Sequence, residues 1–138
     1  MSQKNPFLGV WILDPNSCQY SMGEPPKSGR YEIREDGDKL IFTMGWVDAE
    51  DKPLEMSFAV LVDGEEHPFE NPALADSTKY RYQSERILES WSYKDGRELG
   101  YSRRELNEAG TIMLVVQQVS DPNGGSLQNL ATYHLGTA

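Results

Sequence analysis

Two histidines, His67 and His134, carry the side chains whose ordinary pKa lies nearest neutrality, so acid–base chemistry or ligation would fall to them. His67 follows the turn Asp63-Gly64 in a segment of alternating apolar residues, which predicts an inward-facing ring. There it could bind a polar ligand group, act as an acid or base, or serve as a structural histidine bonded to a neighbouring strand. His134 lies on the last predicted strand, where a haem ligand and an exposed terminal residue are the two alternatives.

The pair Arg103-Arg104 supplies the cationic group that suits a buried anion-binding site. If the strand that carries the pair runs unbroken, one of the two arginines must point into the interior, and the pattern leaves open which one. An inward arginine is a natural anchor for a carboxylate, because the guanidinium presents paired donors to both oxygens. The alternative is an arginine near the barrel mouth, paired with Glu89 or Glu105.

The aromatic side chains are numerous enough to line a pocket. The set comprises Trp46, Tyr80, Tyr82, Trp91, Tyr93 and Tyr101. Such side chains suit a site that orients a mostly apolar molecule, and ordinary cross-strand packing accounts for the same composition. Tyr80 and Tyr82 share one face with Arg81 opposite, so these two tyrosines are expected inside. The predicted ligand-binding residues are Trp46, Phe58, His67, Tyr80, Tyr82, Trp91, Tyr101 and Arg104.

These residues must be positioned by β-strands, because turn signals recur along the chain and Val, Ile, Thr and aromatic residues fill the intervals. No stretch keeps a helical period for the roughly ten residues that indicate a helix, and only a short helical turn is expected near Pro72-Ala73-Leu74-Ala75. Strands are predicted near residues 7–13, 28–35, 39–47, 54–62, 65–69, 78–84, 86–94, 97–106, 111–119 and 127–135.

Three Asp-Gly pairs predict hairpins with two-residue loops, and each loop determines which residues face one another. The expected partners are Ile33 with Leu40 and Tyr31 with Phe42 around Asp36-Gly37, Val60 with His67 and Phe58 with Phe69 around Asp63-Gly64, and Trp91 with Gly100 and Glu89 with Ser102 around Asp95-Gly96. The first two registers gather the apolar residues of both strands on one face, which is typical of half-buried antiparallel strands.

Strands of this number, joined by short connections, must hide one apolar face, and closing the sheet does so while removing its exposed edges. The predicted fold class is therefore all-β, an antiparallel up-and-down β-barrel of about 8–10 strands with room for one small ligand. An immunoglobulin-like sandwich would need longer crossing connections. A length of 138 residues favours a single domain over residues 1–138.

The charge balance excludes several partners. A formal net charge of −9 and a pI near 4.6 argue against nucleic acid and against anionic membranes. No stretch approaches the ~18 consecutive apolar residues of a membrane span, and no signal-peptide pattern is present, so a cytoplasmic location is expected. The single cysteine, Cys18, excludes an internal disulfide.

No cofactor, metal site or catalytic constellation is predicted. The sequence lacks a phosphate-binding glycine loop, a Cys-x-x-Cys pair and a nucleophile elbow. Two histidines and one cysteine, far apart in the chain, do not have the spacing of zinc ligands, and the acidic turns do not have that of a calcium loop.

Several short motifs resemble one protein family. The opening segment, residues 7–20 (FLGVWILDPNSCQY), is followed by Pro25-Pro26-Lys27-Ser28, and later come His67-Pro68, Asn71-Pro72 and Lys94-Asp95-Gly96-Arg97. This pattern, spread over nearly the whole chain, resembles small bacterial lipocalin-like proteins. The resemblance implies a calycin-type barrel, as in lipocalins and fatty-acid-binding proteins, and it bears on fold rather than on function because the roles of those proteins are mostly unassigned.

The resemblance also implies a role for Trp11. Gly9-x-Trp11 is similar to the first-strand signature of lipocalins, whose Trp plugs the closed end of the barrel. In that family an Arg of the last strand stacks on this Trp, and the last predicted strand here, residues 127–135, contains no Arg. The same departure removes the Arg-x-Tyr carboxylate clamp of fatty-acid-binding proteins.

Closure, alternating apolar faces and the aromatic set favour a non-enzymatic binding module that holds a small lipophilic molecule in the barrel. An enzyme is the first alternative: an isomerase, cyclase or hydrolase of a lipophilic substrate, with His67 as acid or base. A haem-binding barrel ligated by His67 or His134 is the second. A protein-interaction domain with an exposed apolar patch or free sheet edge is the third. The sequence does not determine the oligomeric state.

Overall fold

The computed structural model describes residues 5–20, 24–69, 75–120 and 126–136. These ranges contain ten β-strands: β1 Gly9–Tyr20, β2 Ser28–Asp36, β3 Lys39–Val47, β4 Pro53–Leu61, β5 Glu66–Pro68, β6 Ser77–Ser84, β7 Ile87–Lys94, β8 Arg97–Leu106, β9 Ile112–Ser120 and β10 Ser126–Leu135. The predicted segments coincide with them to within a few residues, except at β1. The short helical turn predicted around residues 72–75 lies almost wholly outside the described ranges.

All ten strands belong to one antiparallel sheet in the order β4-β3-β2-β1-β10-β9-β8-β7-β6-β5. Because the first strand pairs with the last, the sheet curls round on itself into a nearly closed barrel, with β4 and β5 as its two edges. Side chains span the remaining seam, where the Phe58 and Phe69 rings are 5.2 Å apart. The predicted all-β up-and-down barrel is confirmed. Within the described ranges, no helix has the length and apolar character needed to cross a membrane.

Strand β1 continues through Asp14-Pro15-Asn16, beyond residue 13, where the first strand was predicted to end. Pairing with β10 shifts between Asp14 and Gln19, so this segment forms an irregularity within the ladder instead of ending the strand. The Ser17 hydroxyl donates to the Asp14 carbonyl at 2.6 Å and accepts from the Thr132 amide at 2.8 Å, which ties the irregular segment to β10.

The β2–β3 hairpin corrects the predicted register. Asp36 faces Lys39, so the loop is Gly37-Asp38 and Ile33 faces Phe42 instead of Leu40. The loop is displaced because Gly37 supplies a positive φ of 62° at the first loop position. A displacement of the partner by two residues keeps every side chain on its predicted face, since side chains in a strand alternate with a period of two.

The predicted β4–β5 hairpin is not present. Strand β5 pairs with β6, placing His67 opposite Thr78, and the Gly64 amide donates to the Tyr80 carbonyl at 2.9 Å. The Asp63-Gly64 turn therefore redirects the chain toward β6 instead of folding it back along β4. The predicted pairs of Val60 with His67 and of Phe58 with Phe69 are accordingly wrong as backbone partners.

The β7–β8 hairpin contains a bulge that the sequence did not reveal. Tyr93 faces Glu98 next to the Asp95-Gly96 turn, but Ser92 faces Gly100, so Leu99 is an extra residue in β8. Beyond it Trp91 faces Tyr101 instead of Gly100. Because the bulge exchanges the two faces of β8 relative to β7, it determines which arginine of the pair points inward.

The closed end of the barrel is filled by apolar side chains. Its fully buried members are Phe7, Trp11, Ile33, Phe42, Leu88 and Met113. The Trp11 indole nitrogen donates to the Phe7 carbonyl at 3.0 Å, so the one polar atom of this ring is satisfied inside the core. The expectation that Trp11 plugs one end agrees with this geometry.

Candidate functional site

Above the closed end, the inner face of the barrel encloses a cavity of about 470 Å³. A volume of this size is within the range of sites that hold one small molecule. Aromatic and apolar side chains form much of its boundary, among them Tyr31, Met44, Met56, Phe58, Phe69, Tyr80 and Tyr133. One charged side chain, Arg104, is among the residues that border the cavity.

Arg104 is brought into the interior by the β8 bulge, which places it opposite the fully buried Leu88. Its Nε donates to the Tyr31 hydroxyl oxygen at 2.9 Å, its Nη2 donates to the same oxygen, and its Nη1 donates to Ser102 Oγ at 3.3 Å. The guanidinium carbon also lies 5.2 Å from the centre of the Phe42 ring. The residue is only 5% exposed, so the guanidinium is held rigidly inside the barrel.

The charge of Arg104 has no carboxylate counterpart within the ranges that the structure describes. Burial acts to lower the pKa of Arg104, but the oxygens of Tyr31 and Tyr80 act to raise it, and the net direction is upward. Arg104 therefore stays protonated. Burial likewise raises the pKa of Tyr31, which keeps this phenol neutral even though Arg104 acts in the opposite direction.

The Tyr31 hydroxyl completes a donor-rich site. Its oxygen accepts two hydrogen bonds from Arg104, which uses both of its lone pairs. Its own proton is left for an acceptor, and the described part of the chain supplies none. A buried cation beside an uncommitted phenol proton is an arrangement that a carboxylate or another anion would satisfy.

Two further predicted residues face the cavity. The ring of Phe58 lies 5.4 Å from that of Phe42, and the ring of Tyr80 stacks on Phe42 at 5.8 Å. Burial raises the pKa of Tyr80 to about 12, so its hydroxyl is a neutral donor near neutral pH. Phe58, Tyr80 and Arg104 are thus brought together at one level of the barrel.

Trp91 and Tyr101 are among the residues that border the cavity, but their rings pack on the outer face of the barrel wall. The two rings are 5.4 Å apart, and the Lys79 ammonium lies 4.5 Å from the centre of Trp91. The Tyr101 hydroxyl donates to Glu89 at 2.6 Å, and Arg81 donates to the same carboxylate at 2.7 Å. Strand alternation explains this placement, because Ser90 and Ser102 occupy the inner positions between these residues.

The remaining three predicted residues do not border the cavity. His67 Nε2 lies 2.9 Å from Asp63 Oδ2, so the imidazole closes the β4–β5 turn. The Tyr82 hydroxyl accepts from the side chain of Asn5 at 2.6 Å, at the closed end beside Phe7. Trp46 lies near the far end of β3, half-buried.

Four residues that border the cavity were not predicted as site residues: Tyr31, Tyr133 and the serine pair Ser90 and Ser102. Tyr31 was predicted to lie on the apolar face of β2, but its pairing with Arg104, which is far away in the sequence, could not be predicted. Ser90 and Ser102 hydrogen bond to each other across β7 and β8. They carried no signal because small hydroxyl side chains on strands usually face solvent. Alternation along β7 puts Ser90 on the same face as the buried Leu88, and the bulge at Leu99 brings Ser102 of β8 onto that face.

A metal site is not present among the described residues, which contain no group of three or more His, Cys, Asp or Glu side chains able to hold an ion. His134 Nε2 lies 3.9 Å from Asp14 Oδ2 on the outside of the barrel. Neither histidine borders the cavity.

Comparison with known proteins gives structural similarity without close sequence similarity. No family model and no curated protein matches the chain. Among solved structures, a zebrafish ileal bile acid-binding protein complexed with cholic acid covers 95% of this chain and 99% of its own at 15% identity, with a TM-score of 0.55. A bovine odorant-binding protein complexed with its natural ligand covers 100% of this chain and 76% of its own at 7% identity, with a TM-score of 0.51. These similarities establish the fold as a calycin-type β-barrel.

Proposed function

We propose that this protein binds a small lipophilic molecule in the barrel cavity and holds an anionic group of that molecule at Arg104. The observation that carries the proposal is a buried, protonated guanidinium that borders a cavity of about 470 Å³ and has no carboxylate partner in the described ranges. An isolated buried charge is costly, and a ligand carboxylate would compensate it. The ligand-binding function of the two structural neighbours is in keeping with this proposal.

Within this proposal, the ligand contacts Phe58, Tyr80 and Arg104 directly, and Tyr31 joins Arg104 in binding the anionic group. Trp91 and Tyr101 support the wall from outside, and Trp46, Tyr82 and His67 act at a distance from the ligand. The enzyme alternative requires the His67 imidazole to border the cavity. The ring instead contacts Asp63 in the β4–β5 turn, outside the cavity lining. Membership of the small bacterial lipocalin-like proteins and a cytoplasmic location remain predictions of the sequence.

The experiment is native mass spectrometry of the purified protein after incubation with a total lipid extract, followed by titration with hexadecanoate and hexadecanol. These probes share a chain and differ only in the charged group. We expect a bound adduct from the extract and tighter binding of hexadecanoate than of hexadecanol. Retention of nothing from the extract, together with no binding of either probe, would contradict the proposal.

Two variants separate the buried arginine from its neighbour. Arg104→Met should remove the preference for the carboxylate while leaving hexadecanol binding, because the apolar part of the cavity is unchanged. Arg103→Met is the matched control, since Arg103 lies on the outer face and pairs with Glu105 at 2.7 Å. If Arg104→Met preserves the ratio of the two affinities, the anion does not bind at Arg104.

A further inference from the structure

The lining of the cavity is divided into two walls of different chemistry. The polar wall consists of the inward Ser, Thr, Asn and Gln side chains that border the cavity, and all of them lie on β6–β10: Thr78, Ser90, Ser92, Ser102, Gln117 and Asn129. The apolar wall consists of Met44, Met56, Phe58 and Phe69, which lie on β3, β4 and the segment after β5. The β6–β10 side is mixed, because Val115 and Ala131 also border the cavity there, whereas the lining residues described on β3 and β4 include no Ser, Thr, Asn or Gln.

The polar wall is organised as a hydrogen-bonded network. Ser90 and Ser102 bond to each other, and Arg104 Nη1 donates to Ser102 at 3.3 Å. A hydroxyl offers one donor and two acceptor positions, so this chain of hydroxyls has capacity for further partners. Three of the polar residues, Thr78, Ser90 and Asn129, are themselves less than 10% exposed.

A linear hydrocarbon tail would fit against the apolar wall, but its contact with the polar wall would be unfavourable. Polar groups placed against methylene groups lose their water partners without a replacement, which costs free energy for each unsatisfied group. A ligand with hydroxyls along one face would instead continue the network, and its apolar face would pack on Met44, Met56 and Phe58. The two walls therefore select for a molecule that is itself two-sided.

We propose that the ligand is an anion with an otherwise apolar body whose hydroxyl groups lie on one face, oriented with that face toward the polar wall and its apolar face toward the methionines. This inference rests on the proposed function, because it assumes that the cavity is the binding site and that the anionic group lies at Arg104. It goes further by naming the class of molecule that the walls recognise.

The experiment uses two steroid carboxylates with the same rings and the same side chain. Cholate carries three hydroxyls on one face, and 5β-cholanate carries none. Calorimetric titration of both against the wild-type protein and the double variant Ser90→Ala/Ser102→Ala measures the contribution of the polar wall. We expect the double variant to weaken cholate binding by about tenfold, the loss of one or two hydrogen bonds, and to leave 5β-cholanate binding unchanged or stronger.

A second variant of the polar wall and one control variant of the apolar wall extend the test. Thr78→Val keeps the size of the side chain on the polar wall and removes its hydroxyl, so it should also weaken cholate selectively. Met56→Leu changes the apolar wall without adding a polar group and should affect both probes alike. Unfolding curves of each variant establish that a loss of cholate binding occurs in a folded barrel.

The outcomes distinguish the two proposals. Equal weakening of cholate and 5β-cholanate by the serine variant would overturn the two-walled recognition, while binding of hexadecanoate would still support the proposed function. Tighter binding of hexadecanoate than of cholate by the wild-type protein would also overturn it. Failure of all these carboxylates to bind would overturn the proposed function as well.

Discussion

Arg104 shows how one residue acquires a function from its surroundings. The same residue type at position 103 is partly exposed and pairs with Glu105, whereas Arg104 is enclosed by aromatic rings and hydroxyl groups. The hydroxyl oxygens of Tyr31 and Ser102 accept hydrogen bonds from its guanidinium without neutralising its charge. This distinction between hydrogen-bond satisfaction and charge compensation makes the site selective for an anion, since a neutral polar group would bring no charge to a cation that is already hydrogen-bonded.

At the same scale, Trp11 should dominate the stability of the closed end. The ring is fully buried against Phe7, so Trp11→Ala should lower the free energy of unfolding by about 3–5 kcal/mol through lost burial and the cavity left behind. Denaturant unfolding monitored by circular dichroism measures the loss. Trp46→Ala is the control, because Trp46 is half-buried near the other end of the barrel and should cost clearly less. A melt of Trp11→Ala equal to that of the wild type would show that the residue does not plug the barrel.

His67 gives a residue-scale test of the binding site. Its imidazole contacts Asp63 in the β4–β5 turn and lies outside the lining of the cavity, so His67→Gln should keep the affinity for hexadecanoate within about twofold of wild type, well under 1.4 kcal/mol. The fold should also remain, because Gln can still donate to Asp63. Titration of the variant beside Tyr80→Phe, which alters a lining hydroxyl, measures the contrast. A tenfold loss of affinity in His67→Gln alone would place His67 in the binding site.

At the scale of the elements, strand positions were predictable because each strand alternates apolar and polar residues between turn signals. What local sequence could not supply was which strand pairs with which, and in what register. The Asp63-Gly64 turn looks like a hairpin loop, yet β5 pairs with β6, because pairing is decided by the closure of the whole sheet. The extra residue Leu99 has no signature of its own, and it places Arg104 and Ser102 of β8 on the same face as Leu88 and Ser90 of β7.

The outer face of β6, β7 and β8 should contribute stability that depends on pH. The hydrogen bond from Tyr101 lowers the pKa of Glu89, burial opposes this shift, and Arg81 adds to it. Because the pKa of Glu89 is lower in the folded state than in the unfolded chain, its contribution is fully present above about pH 4.3, the ordinary value, and is lost as the pH falls through the folded value.

Glu89→Gln should therefore destabilise the barrel at neutral pH by about 1.5–3 kcal/mol, the range for hydrogen bonds to a charged group. The difference from wild type should shrink toward zero in acid, below about pH 4. Urea unfolding across a pH series measures it. Glu108→Gln, in an exposed turn, is the control and should unfold like the wild type at every pH. A Glu89→Gln deficit that stays constant down to pH 2 would contradict the electrostatic origin.

At the scale of the whole molecule, the barrel combines a net charge of −9 with a buried cation in its cavity. The two act on an anionic ligand at different distances. The net charge repels the ligand as it approaches, over about 30 Å at an ionic strength of 0.01 M and about 8 Å at 0.15 M. Arg104 acts only once the ligand is inside, where added salt screens the interaction much less.

Raising the ionic strength from about 0.01 to about 0.15 M should therefore increase the association rate constant of hexadecanoate severalfold, because the repulsion is screened before contact. The dissociation rate constant should change little, since it depends on the buried contacts, so the affinity should rise with salt. Stopped-flow fluorescence measures both constants, and hexadecanol, which has no charge, should show no salt dependence. An association rate for hexadecanoate that falls with salt would mean that positive charge near the entrance, instead of the net charge of the molecule, governs the approach of the ligand.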